Sequence, residues 1–345
     1  MKTNNVLIEK INKELKIFFD KKIADLKDDF FIDITKSLAE YTLRGGKRIR
    51  PIFMLYGYKA ITGKINHDVI KLSIFLELIQ SSLLIHDDIM DQDILRRGGI
   101  TIHEKYAKYF KKKNSHFGES IAIVIGDIAM NFAFEIIANS IFSAEIKNKL
   151  VYLVSKYVSQ VDYGQSVDIK LAHEKKYDEK DIYNVHYYKT MIYTTMMPLI
   201  IGSTLGKADK NQEKTISQYA KNTGIAFQIQ DDIMGIFGDE KKLGKPIGSD
   251  LSENKKTLLT LKALEKANIK QKKVLNNLLG KDNITKQEIE EFQKIVTETG
   301  SLKYSKDLAH KYIETAIKTI SQANINKKTK KELVDIATYI INRDK

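Results

Sequence analysis

The chain has 345 residues, a formal charge of +13 and no cysteine, which excludes disulfides and thiolate zinc sites and fits a reducing compartment. Three prolines and eighteen glycines leave little material for turns, so long amphipathic helices are expected rather than sheet. The length allows one large domain or two ordinary ones.

No stretch approaches the roughly twenty uninterrupted apolar residues of a membrane span. The N-terminus, Met1 to Val6, lacks an apolar signal core. A soluble, cytoplasmic protein is expected. Lysine runs at 111–113 and 327–331 read as solvated helix faces, and no basic stripe interleaved with aromatics points to nucleic acid.

In chain order, residues 6–26 carry apolar positions at helical spacing, and a second helix runs from about Phe31 to Leu43. It leads into Arg44-Gly45-Gly46-Lys47-Arg48-Ile49-Arg50-Pro51. Two glycines let backbone approach a ligand, Lys47 and Arg50 bracket the turn, and Pro51 suits the start of the helix to Ala60. A long apolar helix from Asp68 to Met90 ends in Asp87-Asp88-Ile89-Met90-Asp91-Gln92-Asp93, followed by Arg96-Arg97-Gly98. Asp87 and Asp91 stand at i and i+4 on one face, and like charges so close need a counter-charge. Mg²⁺ supplies it, taking one or two carboxylates and leaving room for substrate phosphates. Arg96 and Arg97 suit those phosphates. A solvated helix end would hold the same residues, but the apolar lead-in counts against it. His103, with no partner histidine at helical spacing, reads as structural.

Further helices follow at about 121–134, Lys147–Leu171 with Gln165 and Asp168 at i, i+3, and Asp178–Leu205 with Lys189-Thr190. Residues 211–237 form a helix carrying a second acidic cluster, Gln228-Ile229-Gln230-Asp231-Asp232-Ile233-Met234-Gly235. A glycine-bearing loop with Gly244-Lys245 follows, then Lys255, peripheral helices over 257–299 and two more over 301–341. There is no linker, so one domain over 1–345 is expected. Two acidic clusters facing each other across a bundle would hold several metals.

In their fixed order these motifs closely resemble the trans-isoprenyl diphosphate synthases, the polyprenyl synthetase family, over roughly residues 35–345. The resemblance implies an all-α helical bundle around a deep central cavity, usually as a homodimer. It implies Mg²⁺-dependent head-to-tail condensation of an allylic diphosphate with isopentenyl diphosphate, with three Mg²⁺ per active site when substrate is bound. Asp87, Asp91 and Asp231 match the metal ligands, with Asp88 and Asp232 beside them in the catalytic set. Arg96, Lys189 and Lys245 match the allylic diphosphate site, with Thr190 and Gln228 near the reacting centre and Gln165 and Asp168 on the same substrate. Lys47, Arg50 and Arg97 match the isopentenyl diphosphate site; Lys255 and Arg343 are further carry-overs. Two positions depart from the pattern. Gln80 stands where many members have histidine, which implies weaker isopentenyl binding, and Gly235 stands where many have a third aspartate.

Bulky residues four or five positions before the first aspartate block elongation in short-product members. Here they are Leu83 and Ser82, so a product of at least twenty carbons, geranylgeranyl diphosphate, is expected, with Ile79, Met130 and Phe134 as a deeper floor. Membrane contact is expected only transiently, for product release. The competing readings are a farnesyl-length synthase, a class I terpene cyclase, a non-catalytic subunit of a heteromeric synthase, and a basic scaffold for acidic membranes. A cyclase would not need Lys47, Arg50 and Arg97, a non-catalytic subunit would lack aspartates or the Arg96-Arg97 pair, and a scaffold would rest on the lysine runs alone.

Overall fold

The computed structural model describes residues 2–238 and 247–342, which pack as two compact units. The first takes the described residues up to Tyr58 together with Lys64–Tyr152; the second takes Lys59–Gly63 and the described residues from Leu153 onward. The fold is all-α, as the composition requires.

The first unit begins with α1 (Lys2–Ala24), α2 (Asp29–Leu43) and the part of α3 (Ile49–Thr62) up to Tyr58. Asp28 caps α2 by accepting from the amides of Phe30 and Phe31, satisfying donors that a helix start leaves open. The helix expected over 68–90 is two helices, α4 (His67–Ser73) and α5 (Phe75–Met90). The Ser73 hydroxyl donates to the carbonyl of Ile70, and such back-bonding from a serine competes with the helical ladder at that joint. Residues Leu95–Arg96 (β1) and Gly99–Ile100 (β2) form a tight antiparallel hairpin. The sequence pattern did not indicate this pair, because two-residue strands carry no periodicity. After α6 (Ile102–Ala107) comes α7 (Ser115–Ala138), capped by Asn114. Helices α5 and α7 pack closely around Phe75, Leu76, Ile79, Ala122 and Ile125, all fully buried.

By length and composition two stretches, His67–Met90 and Ser115–Ala138, would suffice to cross a membrane. The first is 78% buried within the protein, which marks a core helix, whereas α7 is only 33% buried.

Helix α8 (Ala144–His173) runs on into the second unit. The segment expected as one α-helix over 178–205 is continuous, but its middle is a π-helix: α9 (Glu179–Val185), π-helix His186–Met196, α10 (Met197–Leu205). Its neighbours press close at two glycines. A Cβ at Gly164 would lie 2.3 Å from the amide nitrogen of Lys189, and one at Gly224 would lie 2.4 Å from the hydroxyl of Thr195. The Thr195 hydroxyl also donates to the Ala220 carbonyl, so the widened turn is held on both flanks. A π segment inside a helix commonly marks a functional site.

Helix α11 (Lys210–Phe237) is the spine of this unit. A short α12 (Ser249–Ser252) follows, then α13 (Leu258–Lys266), α14 (Ile269–Leu278), α15 (Lys286–Glu298), α16 (Ser301–Ser321) and α17 (Lys327–Asn342). Helices α9, α11, α13, α14 and α15 each start with a reciprocal capping box, from Asp178–Asp181 through Thr285–Glu288, which fixes their first turns locally.

One buried ion pair shapes the first unit. Arg48, fully buried, donates to Glu77 on α5 at 2.6 Å, to the carbonyl of Thr42 and to the side chain of Asn12. It therefore pins the glycine turn to α5. Breaking a buried pair by removing one partner costs about 3–5 kcal/mol, so Glu77→Ala should lower unfolding free energy by about that amount in urea titration. A loss below about 1 kcal/mol would mean the pair is not structural.

Candidate active site

Helix α5 presents its two aspartates to opposite environments. Asp88 is fully buried while Asp87 keeps partial exposure, as adjacent helical positions about 100° apart require. The Asp88 carboxylate accepts from the Tyr41 hydroxyl at 2.7 Å and from Arg96 Nε at 2.6 Å. Burial pushes its carboxyl up to about 6, opposed by Arg96 and by the Tyr41 hydrogen bond. The Tyr41 phenol is raised by the same burial and by Asp88. Burial works against the Arg96 charge, but Asp88 and Asp93 outweigh it and hold the guanidinium protonated. Arg96 also donates to Asp93 at 2.5 Å and lies 3.6 Å from Asp87. Asp91 closes α5 at its C-terminus, its amide donating to the Asp87 carbonyl at 2.8 Å. Asp87 and Asp91 thus stay on the open side of the helix end.

The glycine turn and the arginine hairpin meet in the same unit. Gly45 and Gly46 both have positive φ (68° and 110°), which glycine adopts without steric cost. The Arg97 guanidinium packs on Gly46, where a Cβ would come within 3.3 Å, and reaches the Gly45 carbonyl at 3.4 Å. Burial lowers the Arg97 pKa; Glu77 opposes this, while Arg48 and Arg50 add repulsion. Cations crowded in this way suit a multiply charged anion. Lys47 is exposed at the turn, Arg50 lies on the first turn of α3, and Gln80 is buried on α5. Ser82 is buried and Leu83 half-buried on α5. That helix packs on α7, which carries Met130 and Phe134.

In the second unit the pattern of the first cluster returns. Asp231 is exposed and Asp232 buried on α11. Asp232 pairs with His186 of the π-helix at 3.0 Å and accepts from Gln228 at 2.6 Å. Burial raises its pKa, opposed by His186 and Gln228 and reinforced by Asp250. Gly235 has a spatial reason: a Cβ there would lie 2.4 Å from a carboxylate oxygen of buried Asp250. A side chain at position 235 would therefore collide with the Asp250 carboxylate on α12. Lys189 donates to Asp168 at 2.6 Å, and Gln165 and Thr190 are half-buried on α8 and the π-helix. Lys255 pairs with Glu253 and lies 3.9 Å from Asp250. Gly244, Lys245 and Arg343 lie outside the described residues.

Several of these residues were not assigned from sequence. Glu77, an acid in an apolar run, and His186, three positions before Lys189, were visible signals. Tyr41 and Asp250 acquire their meaning only through tertiary contact. His103 is buried, as a structural role requires.

Among the described residues no group of three or more His, Asp or Glu is close enough to hold a metal ion by itself. Mg²⁺ does not need one, since it binds through one or two carboxylates and completes its octahedron with water and substrate phosphate. The open carboxylates Asp87 and Asp91 fit that mode.

A polyprenyl synthetase family model matches residues 32–296. The chain belongs to the polyprenyl synthetase family. It is 32% identical to a geranylgeranyl diphosphate synthase of Saccharolobus solfataricus, over 99% of this chain and 97% of the relative. To a short chain isoprenyl diphosphate synthase of Methanocaldococcus jannaschii it is 33% identical, over 98% and 94%. A crystal structure of geranylgeranyl pyrophosphate synthase from Corynebacterium glutamicum, complexed with isoprenyl diphosphate and magnesium, matches with a TM-score of 0.91 at 28% identity, covering 98% of each chain. The protein is therefore a prenyltransferase, a trans-isoprenyl diphosphate synthase of a family that uses Mg²⁺ and isoprenyl diphosphates.

The different environments of the paired aspartates give a measurable contrast. Asp88→Asn removes the buried carboxylate that Tyr41 and Arg96 share and should cost about 3–5 kcal/mol of unfolding free energy. Asp87→Asn, on the open side, should change it by less than about 1 kcal/mol. Equal losses in denaturant titration would contradict the assignment of Asp88 as the structural member.

Proposed function

We propose that the protein makes geranylgeranyl diphosphate by successive head-to-tail additions of isopentenyl diphosphate to an allylic diphosphate. The observation that carries the chain length is the small, buried Ser82 beside the half-buried Leu83 on α5, with no aromatic ring at either position to end growth early. Ile79, Met130 and Phe134 are proposed as the floor that ends it later.

Asp87, Asp91 and Asp231 would hold Mg²⁺, three ions per active site with substrate bound. These ions supply charge stabilisation to the departing pyrophosphate. Arg96, anchored by Asp88 and Asp93, binds the allylic diphosphate together with Lys189, whose ammonium is oriented by Asp168, and with Lys245. Thr190 and Gln228 stand near the allylic carbon, and Gln165 contacts the same substrate. Lys255 and Arg343 add positive charge. Lys47, Arg50 and Arg97 bind isopentenyl diphosphate, with Gln80 donating a neutral hydrogen bond. Apolar walls keep water from the allylic cation, and its C1 bonds to the terminal alkene carbon of isopentenyl diphosphate. The cation forms when the C1–O bond breaks with both electrons going to pyrophosphate. After carbon–carbon bonding, the resulting tertiary cation gives a proton to the released pyrophosphate, and the new allylic double bond forms.

Assembly as a homodimer is supported by apolar side chains left on the surface of the first unit. Ile123 and Val124 on α7 and Tyr152 on α8 are about half exposed or more, and Ile141 between these helices is 76% exposed. Large apolar side chains left this exposed favour a protein contact. We place the enzyme in the cytoplasm, touching membrane only for product release. Sedimentation should give twice the chain mass, and a monomer would contradict the dimer.

The test of function is incubation with Mg²⁺, labelled isopentenyl diphosphate and each allylic primer. A twenty-carbon product is expected, lost in Asp87→Ala, in Asp231→Ala and on chelation. Leu83→Phe should shorten the product to fifteen carbons. A fifteen-carbon product from the unaltered protein would contradict the role of Ser82 and Leu83. No condensation with any primer would favour a non-catalytic subunit.

A further inference from the structure

We infer that Arg44 is a positioning residue that locks the glycine turn and the arginine hairpin into one cradle for isopentenyl diphosphate. The inference rests on the proposal that Lys47, Arg50 and Arg97 bind that substrate.

Arg44 ends α2, directly before Gly45. Its Nε and Nη2 grip the two carboxylate oxygens of Glu40 at 2.8 and 2.5 Å, and its guanidinium lies 5.4 Å from the Tyr41 ring centre. This fixes the fork on its own helix. The remaining nitrogen, Nη1, donates to the carbonyl of Arg96 at 3.1 Å and to that of Ile100 at 2.9 Å. Those carbonyls belong to opposite strands of the hairpin, whose register pairs Leu95 with Ile100 and Arg96 with Gly99. One guanidinium nitrogen therefore ties both strands to the end of α2.

The fit is tight. A Cβ at Gly99 would lie 2.4 Å from Cζ of Arg44, so only glycine leaves room for the fork. Arg97, at the turn of the hairpin with φ of 52°, returns the contact by packing on Gly46 and reaching the Gly45 carbonyl. The two loops hold each other through two arginines that point in opposite directions.

The two substrates should feel this lock differently. Arg96 has anchors of its own in Asp88 and Asp93, whereas the placement of Arg97 runs through the hairpin backbone and Gly45. Loss of Arg44 therefore loosens the isopentenyl side and leaves the allylic side in place. Lysine is no substitute, because a single ammonium cannot pair bidentately with Glu40 and also reach two carbonyls.

The experiment is steady-state kinetics on full-length Arg44→Ala, Arg44→Lys and Gly99→Ala with each substrate varied in turn. KM for isopentenyl diphosphate should rise on the order of tenfold in all three, with kcat and the allylic KM changed by less than about twofold. Equal rises in both KM values, no rise, or full rescue by Arg44→Lys would overturn the inference. Calorimetric titration with isopentenyl diphosphate separates this outcome from failure of the proposed reaction. Binding by the unaltered protein without turnover would count against condensation. Undiminished binding by Arg44→Ala would overturn the role of Arg44 whether or not condensation occurs.

Discussion

Asp88 sits out of solvent between the Tyr41 hydroxyl and the Arg96 guanidinium, and the local geometry of the first acidic cluster follows from keeping that charge satisfied. A buried carboxylate that loses its partners costs several kcal/mol, so α2, which carries Tyr41, and the hairpin, which carries Arg96, are held to α5 together. That leaves Asp87 and Asp91 on the open side of the helix end. The same division recurs on α11, where His186 and Gln228 hold Asp232 inward and Asp231 stays exposed. In each cluster one aspartate is buried among protein partners and its neighbour lies closer to solvent.

The basic residues obey a similar economy. Arg48 spends its charge on Glu77 and backbone, and Arg44 on Glu40 and two carbonyls. Both are tied to protein partners, although both sit in the motif that reads as a phosphate turn. Arg48 and Arg50 still lie near enough to Arg97 to lower its pKa further, and an anion bound there would relieve such repulsion. Lys189 follows the same logic through Asp168 on the neighbouring helix.

Much of this was legible in the sequence, and the limits have physical causes. The all-α class followed from scarce proline and glycine, and most helix positions followed from apolar spacing. The break at Ile74 was hidden because its flanks are equally apolar. The π-helix was hidden because its residues have ordinary helical composition, and its close packing on Gly164 and Gly224 is tertiary. That Gly235 lies against the Asp250 carboxylate was hidden because chain position does not reveal tertiary contact. The sequence set Asp88 apart from Asp87 and Asp91 by helical face and by resemblance, but did not reveal its burial between Tyr41 and Arg96, which is tertiary.

The most direct test of that separation is a count of bound Mn²⁺ by electron paramagnetic resonance, with a non-ionisable allylic thiodiphosphate present. Asp87→Asn and Asp231→Asn should each bind fewer ions than the unaltered protein, while folded Asp88→Asn and Asp232→Asn should retain the full number. Equal loss in all four variants would contradict the division into open ligand and buried anchor.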